Sequence, residues 1–168
     1  MYIKHNISKI ISKAPNSAAV YAMYERVNDK KAAYVGISSN LKSRLRQHMI
    51  RRDSSATTNV SAVRLDPDYI RKIKWWTSDK FEDKKVLEAA ELIAFDIFNP
   101  VLRSKGSVSV SAKELYDNED FNKEMINKFK EGYSGEIVFP NFNLVLDRLD
   151  KLEREIERLK TELEKYKR

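Results

Sequence analysis

Two short apolar runs joined by a polar turn decide the fold of this chain. They are AVYAMY at 19–24 and AYVGI at 33–37, within AVYAMYERVNDKKAAYVGI at 19–37. Both runs contain the β-branched and aromatic residues that strands favour, and Asn28-Asp29 has the composition of a turn. We therefore predict a hairpin with strands over 18–25 and 32–37. Tyr21 and Tyr34 are then either ordinary strand aromatics or two parts of an active site.

Helices are expected on both sides of this hairpin. Isoleucines at helical spacing predict an N-terminal helix over 2–13. Leu41, Leu45 and Met49 follow the hairpin at i, i+4 and i+8, which predicts a second helix with a buried stripe.

The next hundred residues add a strand and further helices. Residues 53–67 are polar and predict a loop, and 70–77 predict a third strand. A helix is expected over 82–97, ending at Asn99-Pro100 because proline stops a helix. A weaker helical region follows to about residue 130. The predicted fold is α+β, a small three-stranded antiparallel sheet flanked by helices, with a C-terminal helical coiled-coil extension.

The C-terminal segment has a heptad pattern. Its apolar residues are spaced alternately by three and four positions: Phe142, Val145, Leu149, Leu152, Ile156, Leu159, Leu163 and Tyr166. This spacing is typical of a coiled coil. The alternative is a single helix that packs its stripe on the parent domain. We expect a homodimer through a coiled coil over 142–166, because the other faces are so strongly charged.

The amino-acid composition excludes some classes of function and favours others. The net charge of +7 is concentrated between residues 41 and 74, and the absence of cysteine excludes thiolate chemistry and fits a cytoplasmic location. With two histidines, a histidine-rich zinc site is excluded. Clustered positive charge is expected of a protein that binds phosphates, although from charge alone a solvated basic face is equally consistent. The candidates to contact nucleic acid are Lys42, Arg46, Arg51, Arg52, Arg71, Lys72 and Lys74.

Several residues near the hairpin could carry chemistry. Cross-strand neighbours lie about 5 Å apart, which would bring Tyr21 and Tyr34 together. Arg44 and His48 lie at i and i+4 on the following helix. Glu91 has apolar neighbours on the helix predicted over 82–97, and a carboxylate there needs a partner or a metal. Each signal alone is weak.

Taken in their order along the chain, these residues resemble the motifs of the GIY-YIG nuclease superfamily. Ala19-Val20-Tyr21 and Tyr34-Val35-Gly36 match its two triplets, followed by Arg44, His48 and the helix glutamate Glu91. The resemblance covers about residues 17–104. It implies a catalytic domain at 17–104. The sequence patterns outside it predict three further segments: an N-terminal helix at 1–16, an accessory helical or loop region at 105–140 and a coiled-coil helix at 141–168.

The chain departs from the family pattern in two places. Ala19 stands where glycine is usual, and Arg103 stands where an asparagine is usual, about twelve residues after the metal-binding glutamate. Asn99 lies eleven residues after Glu88, so Glu88 is an alternative to Glu91 as the metal ligand. The distance from Glu91 to Pro100 and its small or apolar neighbours favour Glu91.

The resemblance implies a metal-dependent DNA endonuclease. Its expected catalytic residues are Tyr21, Tyr34, Arg44, His48 and Glu91, with Glu91 as the ligand of Mg²⁺ or Mn²⁺ and DNA as the partner. Two alternatives stay open. One is a catalytically inactive GIY-YIG-like module for DNA binding or assembly, dimerised by its coiled coil, and the other is a basic scaffold with coincidental matches.

Overall fold

A buried antiparallel hairpin is at the centre of the structure, a computed structural model that describes residues 2–58, 64–104 and 106–166. The hairpin consists of β1 (Ala19–Tyr24) and β2 (Tyr34–Ser38), and Tyr21 lies directly opposite Gly36. β3 (Lys72–Thr77) pairs antiparallel with the other edge of β1. The predicted three-stranded antiparallel core is therefore present.

The prediction of a sheet with only three strands is wrong. The sheet has five strands in the order β4-β2-β1-β3-β5 and is mixed. β4 (Leu102–Arg103) pairs parallel to β2, and β5 (Gly135–Val138) pairs antiparallel to β3. Strands of two and four residues are too short to show a period in the sequence, and both depend on pairing with distant residues.

Helices cover both faces of the sheet, as predicted. The helices before β3 are α1 (Tyr2–Ile11), α2 (Leu41–Arg46) and α3 (Ser55–Thr58), and α2 continues as a π-helical turn over Gln47–Arg51. The later ones are α4 (Lys84–Phe98), α5 (Val110–Tyr116), α6 (Glu119–Glu131) and α7 (Phe142–Tyr166). Short 3₁₀ turns precede β3 and α4, at Pro67–Tyr69 and Asp79–Glu82.

The two faces of β1 support separate clusters of the core. Val20, Ala22 and Tyr24 face a cluster that includes residues of α4, α5 and α6. Ala19, Tyr21 and Met23 face the other cluster, with residues of α1 and α2. All six residues of β1 are buried, because successive side chains point to opposite covered faces. Tyr21 is therefore fixed on the α2 side of the sheet.

Helix boundaries follow local capping. The Asn40 side chain accepts a hydrogen bond from the Ser43 amide at the start of α2, and Asp83 caps the start of α4 in the same way. α4 ends at Phe98. Its C-cap Asn99 has a left-handed φ of 39°, and Pro100 follows. The chain then turns back along the sheet edge to form β4.

The loop predicted over 53–67 contains the short helix α3. Residues 59–63 of that loop lie outside the described residues, as does Lys105 in the connection after β4. In the described part of the chain, no helix is long and apolar enough to span a bilayer.

The C-terminal helix forms as predicted, but the structure does not show a coiled coil. α7 belongs to a single chain, and its apolar stripe from Val145 to Tyr166 is 43–89% exposed. The stripe is thus not packed on the parent domain. The boundaries of the four predicted segments stay predictions.

Candidate active site

Two tyrosine side chains lie together over one glycine on the α2 face of the sheet. The ring centroids of Tyr21 and Tyr34 are 6.0 Å apart, and both residues are buried. A Cβ atom at Gly36 would lie 2.8 Å from the Tyr34 hydroxyl oxygen and 2.9 Å from that of Tyr21. The glycine therefore makes room for both hydroxyls, as expected where two groups approach a backbone closely.

His48 completes an aromatic group with these tyrosines. Its Nε2 atom lies 2.7 Å from the Tyr21 hydroxyl oxygen, and its ring centroid lies 5.4 Å from that of Tyr34. The residue sits in the π-helical turn after α2, a feature that occurs frequently at functional sites. Burial, and next the charge of Arg44, lowers the pKa of His48 to about 3. The imidazole is therefore neutral at pH 7.

A serine that was not predicted from the sequence holds the other side of His48. Ser54 Oγ lies 2.7 Å from His48 Nδ1 and 3.0 Å from Thr57 Oγ1, and the Thr57 hydroxyl donates to the Ser54 carbonyl. One arrangement of protons satisfies these contacts together with the Tyr21 contact. Ser54 then donates to Thr57 and accepts from Nδ1–H, which leaves Nε2 as an acceptor for the Tyr21 hydroxyl.

Arg44 brings a positive charge to this group. It is half-buried on α2, one turn before His48, and donates a 3.0 Å hydrogen bond to Gln47 Oε1. Burial raises the pKa of Tyr21 well above 10, the charge of Tyr34 adds to the increase, and Arg44 opposes it. The net effect keeps the Tyr21 phenol protonated, contrary to the lowered pKa that a directly acting tyrosine base would need.

Glu91 supplies a carboxylate from α4. Its side chain is buried, and Oε1 accepts a 2.5 Å hydrogen bond from the Ser104 hydroxyl. Burial raises the pKa of Glu91 to about 7, against the opposing effect of the Ser104 hydrogen bond. The charge of Glu91 raises the pKa of both tyrosines, and the charge of Arg44 lowers the pKa of Glu91 and of both tyrosines. Glu91 therefore lies within electrostatic range of the predicted site.

Glu88 is engaged elsewhere. Its Oε2 atom accepts hydrogen bonds from the hydroxyl and the amide of Ser109, at 2.6 and 3.1 Å, and Oε1 lies 3.6 Å from the Lys84 ammonium. Ser109 is the N-cap of α5. The hydrogen bond from Ser109 is also the main reason that the pKa of Glu88 is lowered. Glu88 thus anchors the start of α5.

The position of the usual asparagine is on β4. Arg103 pairs with Val35 in the sheet, is exposed, and holds its guanidinium 5.1 Å from the centre of the Phe95 ring. The next residue, Ser104, makes the contact with Glu91. Neither Ser54 nor Ser104 has a distinctive sequence signal, because each lies in a polar segment where serine is common.

The predicted nucleic-acid contacts do not share one face. Lys72 and Lys74 alternate with Ile73, which packs on the Tyr21 side, so both lysines lie on the opposite face. The Lys72 ammonium donates to the Val27 carbonyl, and that of Lys74 lies over the Tyr133 ring.

The arginines predicted to bind nucleic acid are partly engaged. Arg52 donates two hydrogen bonds to the Asp68 carboxylate, and Arg71 donates to the Asp68 carbonyl. Arg51 is paired with Asp53 at 3.4 Å. Lys42 and Arg46 lie on α2 beside the sequence position of Arg44. The basic residues closest in the chain to the candidate site are therefore those of α2.

This arrangement combines parts that phosphoryl chemistry requires. It has a cation for a phosphate oxygen, a hydroxyl paired with a neutral imidazole, and a buried carboxylate oxygen suited to a hard metal ion. Within the described ranges, no three His, Cys, Asp or Glu side chains form a group that could hold a metal by themselves. A cation here would depend on one carboxylate, water and substrate oxygens.

Comparison with known proteins gives one match. The family model of the GIY-YIG catalytic domain matches residues 17–99, which include Tyr21, Tyr34, Arg44, His48 and Glu91. No curated protein and no solved structure matches the chain.

Proposed function

Through residues 17–99 the chain belongs to the GIY-YIG nuclease superfamily, and on that premise we propose that it is a metal-dependent DNA endonuclease. The proposed reaction is hydrolysis of a phosphodiester bond. The observation that carries this proposal is the 2.7 Å contact between Tyr21 and His48, one helix turn after Arg44. The charge of the buried Glu91 supports it, because that charge raises the pKa of both tyrosines. Residues of β1, β2 and the turn after α2 meet there although they are far apart in sequence.

Glu91 fits a divalent cation better than Glu88 does. Mg²⁺ and Mn²⁺ prefer oxygen ligands, and Mg²⁺ is commonly held by one or two carboxylates while it keeps several waters. Burial raises the pKa of Glu91 to about 7 in spite of the Ser104 hydrogen bond and the Arg44 charge, so a bound cation would further stabilise its ionised form. Glu88 already has the α5 cap and Lys84 as partners. When bound, the cation would neutralise charge on the phosphate and act as a Lewis acid.

Tyr21 and His48 provide a route for the proton of the attacking water. With Nδ1–H donated to Ser54, the Tyr21 hydroxyl donates to His48 Nε2. The water proton passes to the Tyr21 oxygen as the Tyr21 proton passes to Nε2, so no tyrosinate is needed. Burial is the main reason that the pKa of His48 is low, and the charge of Arg44 adds to it. A phosphate bound at Arg44 would offset the second effect and so make the imidazole a better proton acceptor.

Arg44 is the proposed phosphate clamp. Its guanidinium can bind non-bridging oxygens through two parallel N–H groups, and its charge stabilises the charge that develops in the transition state. Lys42 and Arg46 on the same helix would add salt-dependent contacts with the backbone of the DNA. Tyr34 is proposed to orient the attacking water beside Tyr21.

The test of this proposal is cleavage of supercoiled plasmid by the purified chain with and without Mg²⁺. We expect relaxed or linear product with Mg²⁺, and a rate at least about 100-fold lower for Arg44→Ala, because a transition-state charge contact is lost. Arg154→Ala is the matched control, since Arg154 is exposed on α7. A wild type no faster than Arg44→Ala would refute the nuclease proposal.

We also propose that the protein is a homodimer through residues 142–166 and acts in the cytoplasm. The exposed apolar stripe of α7 and the absence of cysteine support these two statements. Two joined catalytic domains would allow both strands of one duplex to be cut.

A catalytically inactive DNA-binding or assembly module is the second candidate function. The observation in its favour is Arg103, which occupies the asparagine position and directs its guanidinium to Phe95. This candidate predicts DNA binding with a steep salt dependence and no Mg²⁺-dependent cleavage. Filter binding and plasmid cleavage on the same preparation separate the two candidates.

A further inference from the structure

The exposed stripe of α7 is one continuous apolar seam on a helix of 25 residues. Its described members are all more than 40% exposed: Val145, Leu149, Leu152, Ile156, Leu159, Leu163 and Tyr166. A seam of this length left in water is unfavourable, and a soluble chain normally covers such a surface with a partner.

The central heptad of the seam favours a two-stranded assembly. Phe142, Leu149, Ile156 and Leu163 occupy position a, and the other apolar residues of the seam occupy position d. At the centre of the helix, Ile156 at a lies between Leu152 and Leu159 at d. In this central layer, a β-branched residue at a with leucine at d favours parallel dimers over larger assemblies. The other a residues are not β-branched, so the orientation is argued from the charges beside the seam.

The charges that flank the seam specify orientation. In a parallel dimer each g residue faces the e residue of the next heptad on the partner. The facing pairs are Arg148 with the partner's Glu153, Glu155 with the partner's Lys160, and Glu162 with the partner's Lys167. All three kinds of pair are attractive and each occurs twice. Lys167 lies outside the described residues, so its pairing follows from the sequence pattern alone.

An antiparallel dimer with full overlap has poorer charge complementarity. In that arrangement e faces e and g faces g, which places Glu153 opposite the partner's Glu153 and Glu155 opposite the partner's Glu155. Only Arg148 and Glu162 would attract. Like charges at these positions disfavour a pairing and determine partner orientation.

We propose that α7 pairs with α7 of a second copy of this chain as a parallel, in-register, two-stranded coiled coil. The inference rests on the homodimer of the proposed function and adds its orientation. It places both catalytic domains at the same end of the coiled coil, next to the N-termini of the two helices. An antiparallel pair would separate those ends by about 37 Å, at 1.5 Å per residue.

Single-cysteine variants of the full chain test the orientation, because the natural sequence has no cysteine. In a parallel, in-register pair, Leu152→Cys and Leu159→Cys each face their own copy. We expect both variants to form a disulfide-linked dimer under mild oxidation with oxidised glutathione. Thr161→Cys, at an outward f position, is the matched control and should stay uncrosslinked.

Two results would overturn the inference. In an antiparallel pair, a residue faces its own copy only at the centre of the paired region. Efficient self-crosslinking of only one of the variants Leu152→Cys and Leu159→Cys would therefore exclude the parallel register. Sedimentation of the uncrosslinked wild type as a monomer at micromolar concentration excludes the dimer altogether. Neither readout depends on nuclease activity, so a failed cleavage assay leaves them interpretable.

Charge exchange provides an independent measurement. Glu155→Lys places two lysines opposite each other on both sides of the parallel dimer, and we expect dimerisation to weaken roughly tenfold. The double variant Glu155→Lys with Lys160→Glu restores attraction and should recover the wild-type dissociation constant. A double variant that dimerises as weakly as the single variant would contradict the parallel pairing. In the antiparallel pair residue 155 faces its own copy, so Lys160→Glu would not restore attraction there.

Discussion

The Tyr21 hydroxyl lies 2.7 Å from Nε2 of His48, although the two residues are 27 positions apart and belong to a strand and a helical turn. In the proposed reaction, this contact links the two side chains in one proton path. The phenol has a pKa well above 10, because burial disfavours the phenolate, and the imidazole stays neutral with a pKa of about 3. In the proposed mechanism, the phenol therefore relays a proton to the imidazole without forming a phenolate.

Replacing Tyr21 by phenylalanine is expected to lower the cleavage rate by at least about 100-fold while DNA binding stays unchanged. The ring keeps its packing, and only the hydroxyl that joins the water to His48 is lost. Single-turnover cleavage and filter binding measure the two effects. Tyr24→Phe is the matched control, since Tyr24 is buried on the opposite face of β1. Equal rates for Tyr21→Phe and wild type would contradict a proton path through Tyr21.

His48 is expected to make the fold less stable as the pH falls below about 6.5. Its folded-state pKa of about 3 is below the ordinary value of 6.5, so between these values the unfolded chain binds a proton that the folded chain does not. Stability should decrease by up to about 1.4 kcal/mol per pH unit in this window and be unaffected by His48 above it.

Urea unfolding between pH 5 and 7 measures this dependence. His48→Gln, whose side chain does not titrate, should show a shallower slope than wild type in that range. Parallel slopes would mean that the imidazole protonates in the folded protein. In ¹⁵N spectra of the wild type, His48 should appear as the Nδ1–H tautomer, which Ser54 fixes by accepting that proton.

Ser104→Ala is expected to weaken Mn²⁺ binding by roughly 10- to 100-fold, because the hydroxyl that orients Glu91 is removed. Electron paramagnetic resonance of free Mn²⁺ measures affinity without any cleavage step. Ser109→Ala is the matched control, since Ser109 makes the corresponding hydrogen bond to Glu88. Equal losses in both variants would show that helix packing, rather than the orientation of Glu91, controls the affinity.

Gly36→Ala is expected to destabilise the protein by about 1–3 kcal/mol and to abolish cleavage. The added methyl group would lie 2.8 Å from the Tyr34 hydroxyl and displace both tyrosines. Gly106→Ala should have little effect, because among the described residues, its chain neighbours aside, no atom lies within 4 Å of a Cβ built there. Thermal unfolding and plasmid cleavage of both variants make the comparison. A fully active Gly36→Ala would mean that the positions of the hydroxyls are not critical.

The sequence predicted those parts of the candidate site whose structure depends on short local sequence patterns. The hairpin followed from strand composition and the Asn28-Asp29 turn, and the pair Arg44 and His48 followed from the four-residue spacing of a helix turn. The contacts of Ser54 and Ser104 could not be predicted, since both depend on where a polar segment docks. The π-helical turn at His48 also has no sequence signature.

The edges of the sheet were the least predictable part of the fold. β4 exists because the left-handed Asn99 turns the chain back beside β2, and β5 because Gly135 fits against the Trp75 ring. A Cβ at Gly135 would lie 2.4 Å from Trp75 Cζ2, so the pairing depends on a specific long-range fit. No periodicity in two or four residues contains that information.

Glu91→Gln and Glu88→Gln, compared side by side, test the central claim most directly. Each variant keeps the shape of the side chain and removes one carboxylate charge from α4. The measurement is the single-turnover rate of plasmid cleavage with saturating DNA and Mg²⁺. We predict a rate at least about 100-fold lower for Glu91→Gln and close to that of wild type for Glu88→Gln. Cleavage that survives in Glu91→Gln would contradict the proposed active site.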